Sequence, residues 1–130
     1  MQTFLPYSNF VDSAAALDYR RLGKQRVECM QLLKAIKNGG AWSNHPAAKM
    51  WKGYEEALET YMYVCIQEWI KRGYKNTMTA NTYLNCKLPP WLGNPAFHAS
   101  HRSNLLRKDV IHYSKFGWIE SNNLPYIWPV

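Results

Sequence analysis

The sequence is poor in acidic residues, in cysteine and in long apolar runs. Its 130 residues include 9 Asp and Glu against 16 Lys and Arg, which gives a formal net charge of +7. Such an excess of positive charge favours polyanionic partners, either nucleic acid or phosphate-bearing ligands. The length predicts one domain over residues 1–130, because ordinary domains contain about 100–200 residues and a second core would not fit.

Cysteine occurs only at Cys29, Cys65 and Cys86, an odd number without CxxC spacing. This excludes a disulfide framework and a zinc ribbon, and it favours a reducing compartment. No apolar run approaches the ~18 residues that span a bilayer, and the opening MQTFLPYSNF lacks the features of a secretory signal. We therefore expect a soluble, cytoplasmic protein with no membrane partner. We also expect it to be a monomer.

Common catalytic motifs are also missing from the sequence. There is no GxSxG, P-loop, GxGxxG or HExxH pattern, which argues against hydrolase and kinase functions. No internal repeat is present, and no alternating run of strand length follows the first few residues. The pattern predicts an all-α fold.

Helix signals predict three principal helices joined by long loops. The first covers about residues 13–38, with Gly23 as a bend inside it. The second begins at a cap provided by Asn44 or His45 and ends near residue 73, and the third covers about residues 99–115. Between them, residues 74–97 are rich in Asn, Thr, Pro and Gly and are predicted to form a long connection.

The segment DYRRLGKQRVE, residues 18–28, carries four cations within seven positions. Helical spacing places Arg20, Lys24 and Glu28 on one face, and Arg21, Gln25 and Glu28 nearly on one face. Guanidinium groups fit phosphate oxygens in pairs, so this face is suited to clamp a nucleic-acid backbone or a nucleotide. An ordinary solvated face, with Glu28 as an intrahelical partner of the cations, explains the same residues and stays open.

A second basic cluster, Arg102, Arg107 and Lys108, is predicted on the third helix, and three histidines lie near it in the sequence: His98, His101 and His112. If the two clusters converge, they form a concave positive surface for nucleic acid. The histidine spacing also allows a metal site, but no carboxylate or thiol is placed beside it, so no metal is expected. Capping or core roles explain His45 and His101 equally simply.

Aromatic residues are numerous, with 6 Trp and 9 Tyr. Those at helical spacing, such as Trp51, Tyr54, Tyr61 and Trp69, are expected in the core. Four tryptophans lie in loops or near the ends, where a ring either closes the core or stacks on an unpaired base: Trp42, Trp91, Trp118 and Trp128.

The order of three motifs is similar to that of a known family. YRRLGKQR on the first helix, EWIKRGYKN at the end of the second, and a basic third helix ending in YSKFGW after a Pro-rich loop resemble the phage pyrimidine-dimer DNA glycosylase family, also called endonuclease V. The resemblance runs over most of the chain. It implies a compact, mostly α-helical domain that excises damaged or modified pyrimidines from duplex DNA and cuts the strand without a cofactor.

In that family, as the resemblance implies, the N-terminal amine attacks the sugar C1′, a Schiff base forms, and β-elimination follows. Met1 would supply the amine, since the bulk of Gln2 favours its retention, and Arg20 matches an arginine that contacts the substrate. Arg21 stands where the family has its catalytic carboxylate, so Glu28 is the candidate acid or base. The predicted nucleic-acid-binding residues are Arg20, Arg21, Lys24, Arg26, His98, His101, Arg102, Arg107 and Lys108.

Two other functions fit the same basic face. One is a DNA-binding protein that keeps the concave positive surface but has no catalytic activity. The other is a nucleotide or phosphate-ligand binder with aromatic walls, because a scaffold does not determine the chemistry of its site.

Overall fold

The computed structural model describes residues 1–130 and is α-helical, without β-strands. The six α-helices are α1 (Phe10–Ala16), α2 (Tyr19–Asn38), α3 (Pro46–Trp51), α4 (Glu55–Lys71), α5 (Pro95–Lys108) and α6 (Val110–Tyr113). Short 3₁₀ turns cover Ala41–Asn44 and Ser114–Phe116. The all-α prediction is confirmed, and each of the three predicted helices is divided into two.

The first division occurs at Asp18, which is buried and extended between α1 and α2. Its backbone N–H donates to the Tyr113 hydroxyl at 3.0 Å, and its carboxylate accepts a hydrogen bond from the same hydroxyl. The Tyr113 hydroxyl thus takes the place of the helical carbonyl group that the Asp18 N–H would contact in a continuous helix. The first helix also begins earlier than predicted, because Asn9 caps α1 by accepting from the Asp12 N–H.

The other two divisions depend on local chemistry. Gly53 has φ of 89°, in the left-handed region that favours glycine, and it separates α3 from α4. Asp109 has non-helical dihedral angles, φ −153° and ψ 83°, and caps α6 by accepting from the His112 N–H. The third predicted helix begins four residues early, at Pro95, because Asn94 caps α5 and proline occupies its first turn.

Helices α2 and α4 form the central pair. A Cβ placed on Gly23 would lie 3.0 Å from the Trp69 ring of α4, so glycine is needed at this position for close approach. Helix α2 runs without interruption through Gly23. The Trp69 ring also stacks on Tyr74, with 4.2 Å between the ring centroids.

The core is one cluster of 23 buried residues that includes Trp51, Tyr61, Phe97 and Tyr113. The core positions predicted for Trp51 and Tyr61 are confirmed, whereas Tyr54 and Trp69 are partly buried and pack against the core. Trp91 belongs to the core as well. Burial of large aromatic side chains contributes much of the stabilisation of so small a domain. No helix is both long and apolar enough to cross a membrane.

The N-terminal segment, residues 1–6, is extended through the core and makes no backbone–backbone hydrogen bond. Side chains satisfy its polar groups instead, as buried backbone groups require. Gln25 of α2 accepts from the Phe4 N–H at 2.7 Å and donates to the Gln2 carbonyl at 2.9 Å. The Tyr61 hydroxyl of α4 donates to the Phe4 carbonyl.

Two histidines of α5 hold the next peptide groups of this segment. The Leu5 N–H donates to His101 Nδ1 at 2.9 Å, and the Leu5 carbonyl lies 2.7 Å from His98 Nδ1. Because His98 Nε2 accepts from the Gly93 N–H, its proton must reside on Nδ1 and point to Leu5. Helices α2, α4 and α5 together therefore fix the course of the segment and the position of Met1.

Candidate nucleic-acid interface

Two adjoining cavities share Met1, Lys24 and Glu28. The smaller one, which we call the cleft, has a volume of about 530 Å³. Its walls are Met1, Gln2, Phe4, Arg20, Arg21, Lys24, Gln25, Glu28, His45, Lys108, Tyr126 and Trp128. The larger one, which we call the groove, has a volume of about 840 Å³. It follows α2 from Gly23 to Asn38 and continues to Trp42 in the next 3₁₀ turn.

The cleft is strongly positive, with four cations around one carboxylate. Arg20, Arg21 and Lys24 come from α2, while Lys108 comes from the end of α5. Glu28 is its single acidic residue. The two basic clusters of the sequence therefore converge through Lys108, and the resulting field attracts polyanions.

Glu28 contacts the N-terminal segment directly. The backbone N–H of Gln2 donates to Glu28 Oε2 at 2.7 Å, a short charge-assisted hydrogen bond. The bonded nitrogen is one residue from the terminal amine, and Met1 lines the cleft beside Glu28. The structure thus brings together Met1 and Glu28, the two residues predicted to be catalytic.

His45 lies in the same cleft, although the sequence predicts only a cap or core residue at this position. It does cap α3, since Nδ1 accepts from the Ala47 N–H at 3.0 Å. Burial lowers the pKa of His45, and the positive charge of the N-terminal ammonium group lowers it further. A neutral imidazole therefore lies near the amine of Met1, a relation that no local sequence signal reveals.

Arg21 lies at the wall of the cleft with its charge partly compensated. Its Nη1 is 3.1 Å from the Asp18 carboxylate. Burial alone would raise the pKa of Asp18, but hydrogen bonds from Tyr113 and Arg21 bring it below its usual value. Asp18 remains charged and holds Arg21 in place, so it does not supply the carboxylate missing from position 21.

His98 and His101 lie in the core rather than at a nucleic-acid surface, with only 4% and 1% of their surface exposed. Burial lowers the pKa of His101 to about 3, and it also lowers the pKa of His98. Both rings are therefore neutral and hold Leu5. The expectation that they contact DNA is corrected by their burial, and the structure gives them a structural role.

Three of the predicted arginines also lie outside the cleft. Arg102 pairs with Glu120 at 2.9 Å and donates to the Pro6 carbonyl, and Arg107 donates to the Asn122 carbonyl. Arg26 lies over the Trp69 ring at 4.4 Å because the helical period turns it about 200° away from Lys24. Of the nine predicted DNA-binding residues, the cleft contains Arg20, Arg21, Lys24 and Lys108.

The family model described as pyrimidine dimer DNA glycosylase matches residues 1–82, well over half of the chain. The chain belongs to this family. No curated protein and no solved structure gives a match. Membership of a glycosylase family places the protein among DNA repair proteins with DNA as substrate. The matched region contains Met1, Glu28 and all of α2.

The positive cleft predicts a specific salt dependence of DNA binding. Removing one cation that neutralises a phosphate should make the slope of log K against log salt shallower by about 0.9. We expect this change for Lys24→Ala, and about three times as much for a variant that also carries Arg20→Ala and Lys108→Ala. Fluorescence anisotropy with duplex DNA at several salt concentrations measures it. Lys37→Ala, on the same helix but outside both cavities, is the control and should keep the wild-type slope.

Proposed function

We propose that this protein is a DNA glycosylase with abasic-site lyase activity on damaged or modified pyrimidines in duplex DNA. The amine of Met1 would be the nucleophile and Glu28 the acid or base. The observation that carries the proposal is the 2.7 Å hydrogen bond between the Gln2 N–H and Glu28. It holds the single carboxylate of a positive cleft next to the N-terminal residue.

The first chemical step replaces the base by the protein amine. The neutral nitrogen of Met1 attacks C1′, and a C1′–N bond to the protein forms as the bond to the base breaks. The base leaves with the electron pair of that bond and takes a proton from water. The Glu28 carboxylate stabilises the positive charge that develops on the sugar.

The second step cuts the strand. The nitrogen gives up a proton to Glu28, Glu28 passes this proton to O4′ as the C1′–O4′ bond opens, and a Schiff base results. The Glu28 carboxylate then removes a C2′ proton, whose electrons form a C2′–C3′ double bond as the C3′–O bond breaks and the 3′ phosphate leaves. Water hydrolyses the imine and frees the amine, so no step needs a metal or another cofactor.

The remaining cleft residues would bind and orient the substrate. Arg20, Lys24 and Lys108 are exposed cations that suit the phosphates on either side of the lesion. His45 is neutral and near the amine, so it is able to accept a proton from the ammonium form before attack.

We further propose that the glycosylase-like domain comprises residues 1–130, beyond the matched region. Lys108, Tyr126 and Trp128 line the cleft, and His98 and His101 hold the N-terminal segment. The last third of the chain therefore completes the same site.

Borohydride trapping on a duplex with one abasic site tests the proposed chemistry. Reduction of the Schiff base should yield a covalent adduct, which peptide mass analysis should assign to the N-terminal amine. Acetylation of that amine should abolish the adduct. Salt-sensitive DNA binding without an adduct would instead identify a non-catalytic binder, and stabilisation by nucleotides with weak DNA affinity would identify a ligand-binding protein.

A further inference from the structure

Arg20 forms part of the cleft wall, yet few contacts hold its side chain. It is exposed, and none of the ion pairs in the structure includes it. Its one side-chain hydrogen bond is donated from Nε to the Tyr19 hydroxyl at 3.1 Å, and its guanidinium carbon lies 5.7 Å from the centroid of the Tyr19 ring. The position of the Arg20 side chain therefore depends on the position of that ring.

The Tyr19 ring lies outside both cavities, and 52% of the residue surface is exposed. The ring stacks on Tyr74, with 6.4 Å between the centroids and 27° between the ring planes. Aromatic rings at such a separation attract each other beyond the effect of buried area. Tyr74 stacks in turn on Trp69 of α4, at 4.2 Å and the same angle. Tyr74 thus connects an exposed tyrosine of α2 to a tryptophan of α4.

The inner end of this stack is fixed by several contacts. The indole N–H of Trp69 donates to the Lys75 carbonyl at 2.8 Å, which ties the chain next to Tyr74 to α4. Arg26 of α2 lies over the Trp69 ring at 4.4 Å, and its Nη1 donates to the Asn76 side-chain oxygen at 2.6 Å. Because residues on both sides of the Trp69 ring are held in this way, Tyr74 has a defined place.

We propose that Tyr74 is a positioning residue that holds Arg20 at the cleft through the ring of Tyr19. This inference rests on the proposed function, in which Arg20 binds a phosphate beside the lesion. A free arginine side chain loses rotamer freedom when it binds, so one that is already held binds a phosphate at a smaller entropic cost. The chain that follows α4 therefore contributes to DNA affinity without contacting the DNA.

The first test measures the Arg20 side chain without DNA. Solvent exchange of its Nε–H, followed by NMR, reports the bond to Tyr19, and the signal is assigned by its absence from Arg20→Ala. Tyr19→Phe removes the acceptor and should speed exchange about 2–10-fold, the range expected for loss of one hydrogen bond. Tyr74→Ala should speed it by a similar factor. Tyr74→Phe keeps the ring and should exchange at the wild-type rate.

The second test is a double-mutant cycle on DNA affinity, measured by fluorescence anisotropy with duplex DNA. Tyr74→Ala should weaken binding about 2–10-fold, the range expected when one long side chain must be ordered on binding. It should have no further effect in a protein that carries Arg20→Ala. In a protein that carries Lys24→Ala, whose lost cation is outside the stack, it should keep its full effect.

The matched control for both tests is Tyr83→Ala. Tyr83 lies in the same connection between α4 and α5, donates to Glu59 and is outside both cavities, so its loss should change neither exchange nor affinity. Unchanged Nε–H exchange in Tyr74→Ala overturns the positioning role. An equal loss of affinity with and without Arg20 overturns it as well, because it indicates a general defect or a direct DNA contact. Wild-type affinity of Arg20→Ala overturns instead the phosphate contact proposed for Arg20, and the exchange rates then still decide the role of Tyr74.

Discussion

Replacing Glu28 by glutamine is expected to lower strand cleavage about 10²–10⁴-fold, the range associated with loss of a general acid or base. The amide oxygen of glutamine is still able to accept the Gln2 N–H, so the N-terminal segment should keep its position. DNA binding should persist or become slightly tighter, because one negative charge leaves a positive cleft. Gel-based cleavage and anisotropy on the same damaged duplex measure the two effects separately.

The matched control for this substitution is Glu56→Gln, an exposed glutamate of α4 outside both cavities. It should leave cleavage and binding unchanged. Thermal unfolding of both variants checks that neither is destabilised. Cleavage by Glu28→Gln at the wild-type rate would contradict the role assigned to this carboxylate, while loss of DNA binding would show that the residue is needed for the shape of the cleft.

Acid is expected to destabilise the protein through His101. Its pKa is about 3 in the folded state because it is buried, against about 6.5 in an unfolded chain. Above pH 6.5 both states are neutral, and between pH 6.5 and pH 3 only the unfolded state binds the proton. The free energy of unfolding should therefore fall by about 1.4 kcal/mol per pH unit in this window, or about 3 kcal/mol at pH 4.

His101→Asn isolates this contribution, because asparagine retains an acceptor for the Leu5 N–H but does not titrate. The variant should show a shallower loss of stability between pH 6.5 and pH 4 in denaturant titrations followed by circular dichroism. His112→Asn, a half-buried histidine outside the N-terminal contacts, is the comparison. Identical pH profiles for the wild type and His101→Asn would refute the assignment.

The common face of Arg20, Lys24 and Glu28 could be predicted because it depends only on the helical period. Every helix that includes residues 20–28 places these side chains together, whatever surrounds it. The same period shows that Arg26 points elsewhere, but its partner Trp69 was not apparent from the sequence. The helix end at Asp18 was missed for a similar reason, since it depends on Tyr113, 95 residues away.

The histidines show where reasoning from residue type fails. Their nearness to cations indicated a binding surface, but the partner of both His98 and His101 is Leu5, more than 90 residues earlier in the chain. For His45 the error is the opposite one, since the sequence does not predict that it lies in the cleft. Its neighbours there come from both ends of the sequence. Contacts of such separation leave no periodic pattern, so the sequence predicts the helical faces but not which of them meet.

The N-terminal segment is held by side chains that are made much later than the segment itself. Residues 1–6 are made well before His98, His101 and Arg102, which are among the groups that hold them. A nascent chain that ends at residue 82 contains Gln25 and Tyr61 but lacks all three. The segment that carries Met1 therefore gains its full set of side-chain contacts only after α5 has emerged, although Gln25 and Glu28 of α2 are made much earlier.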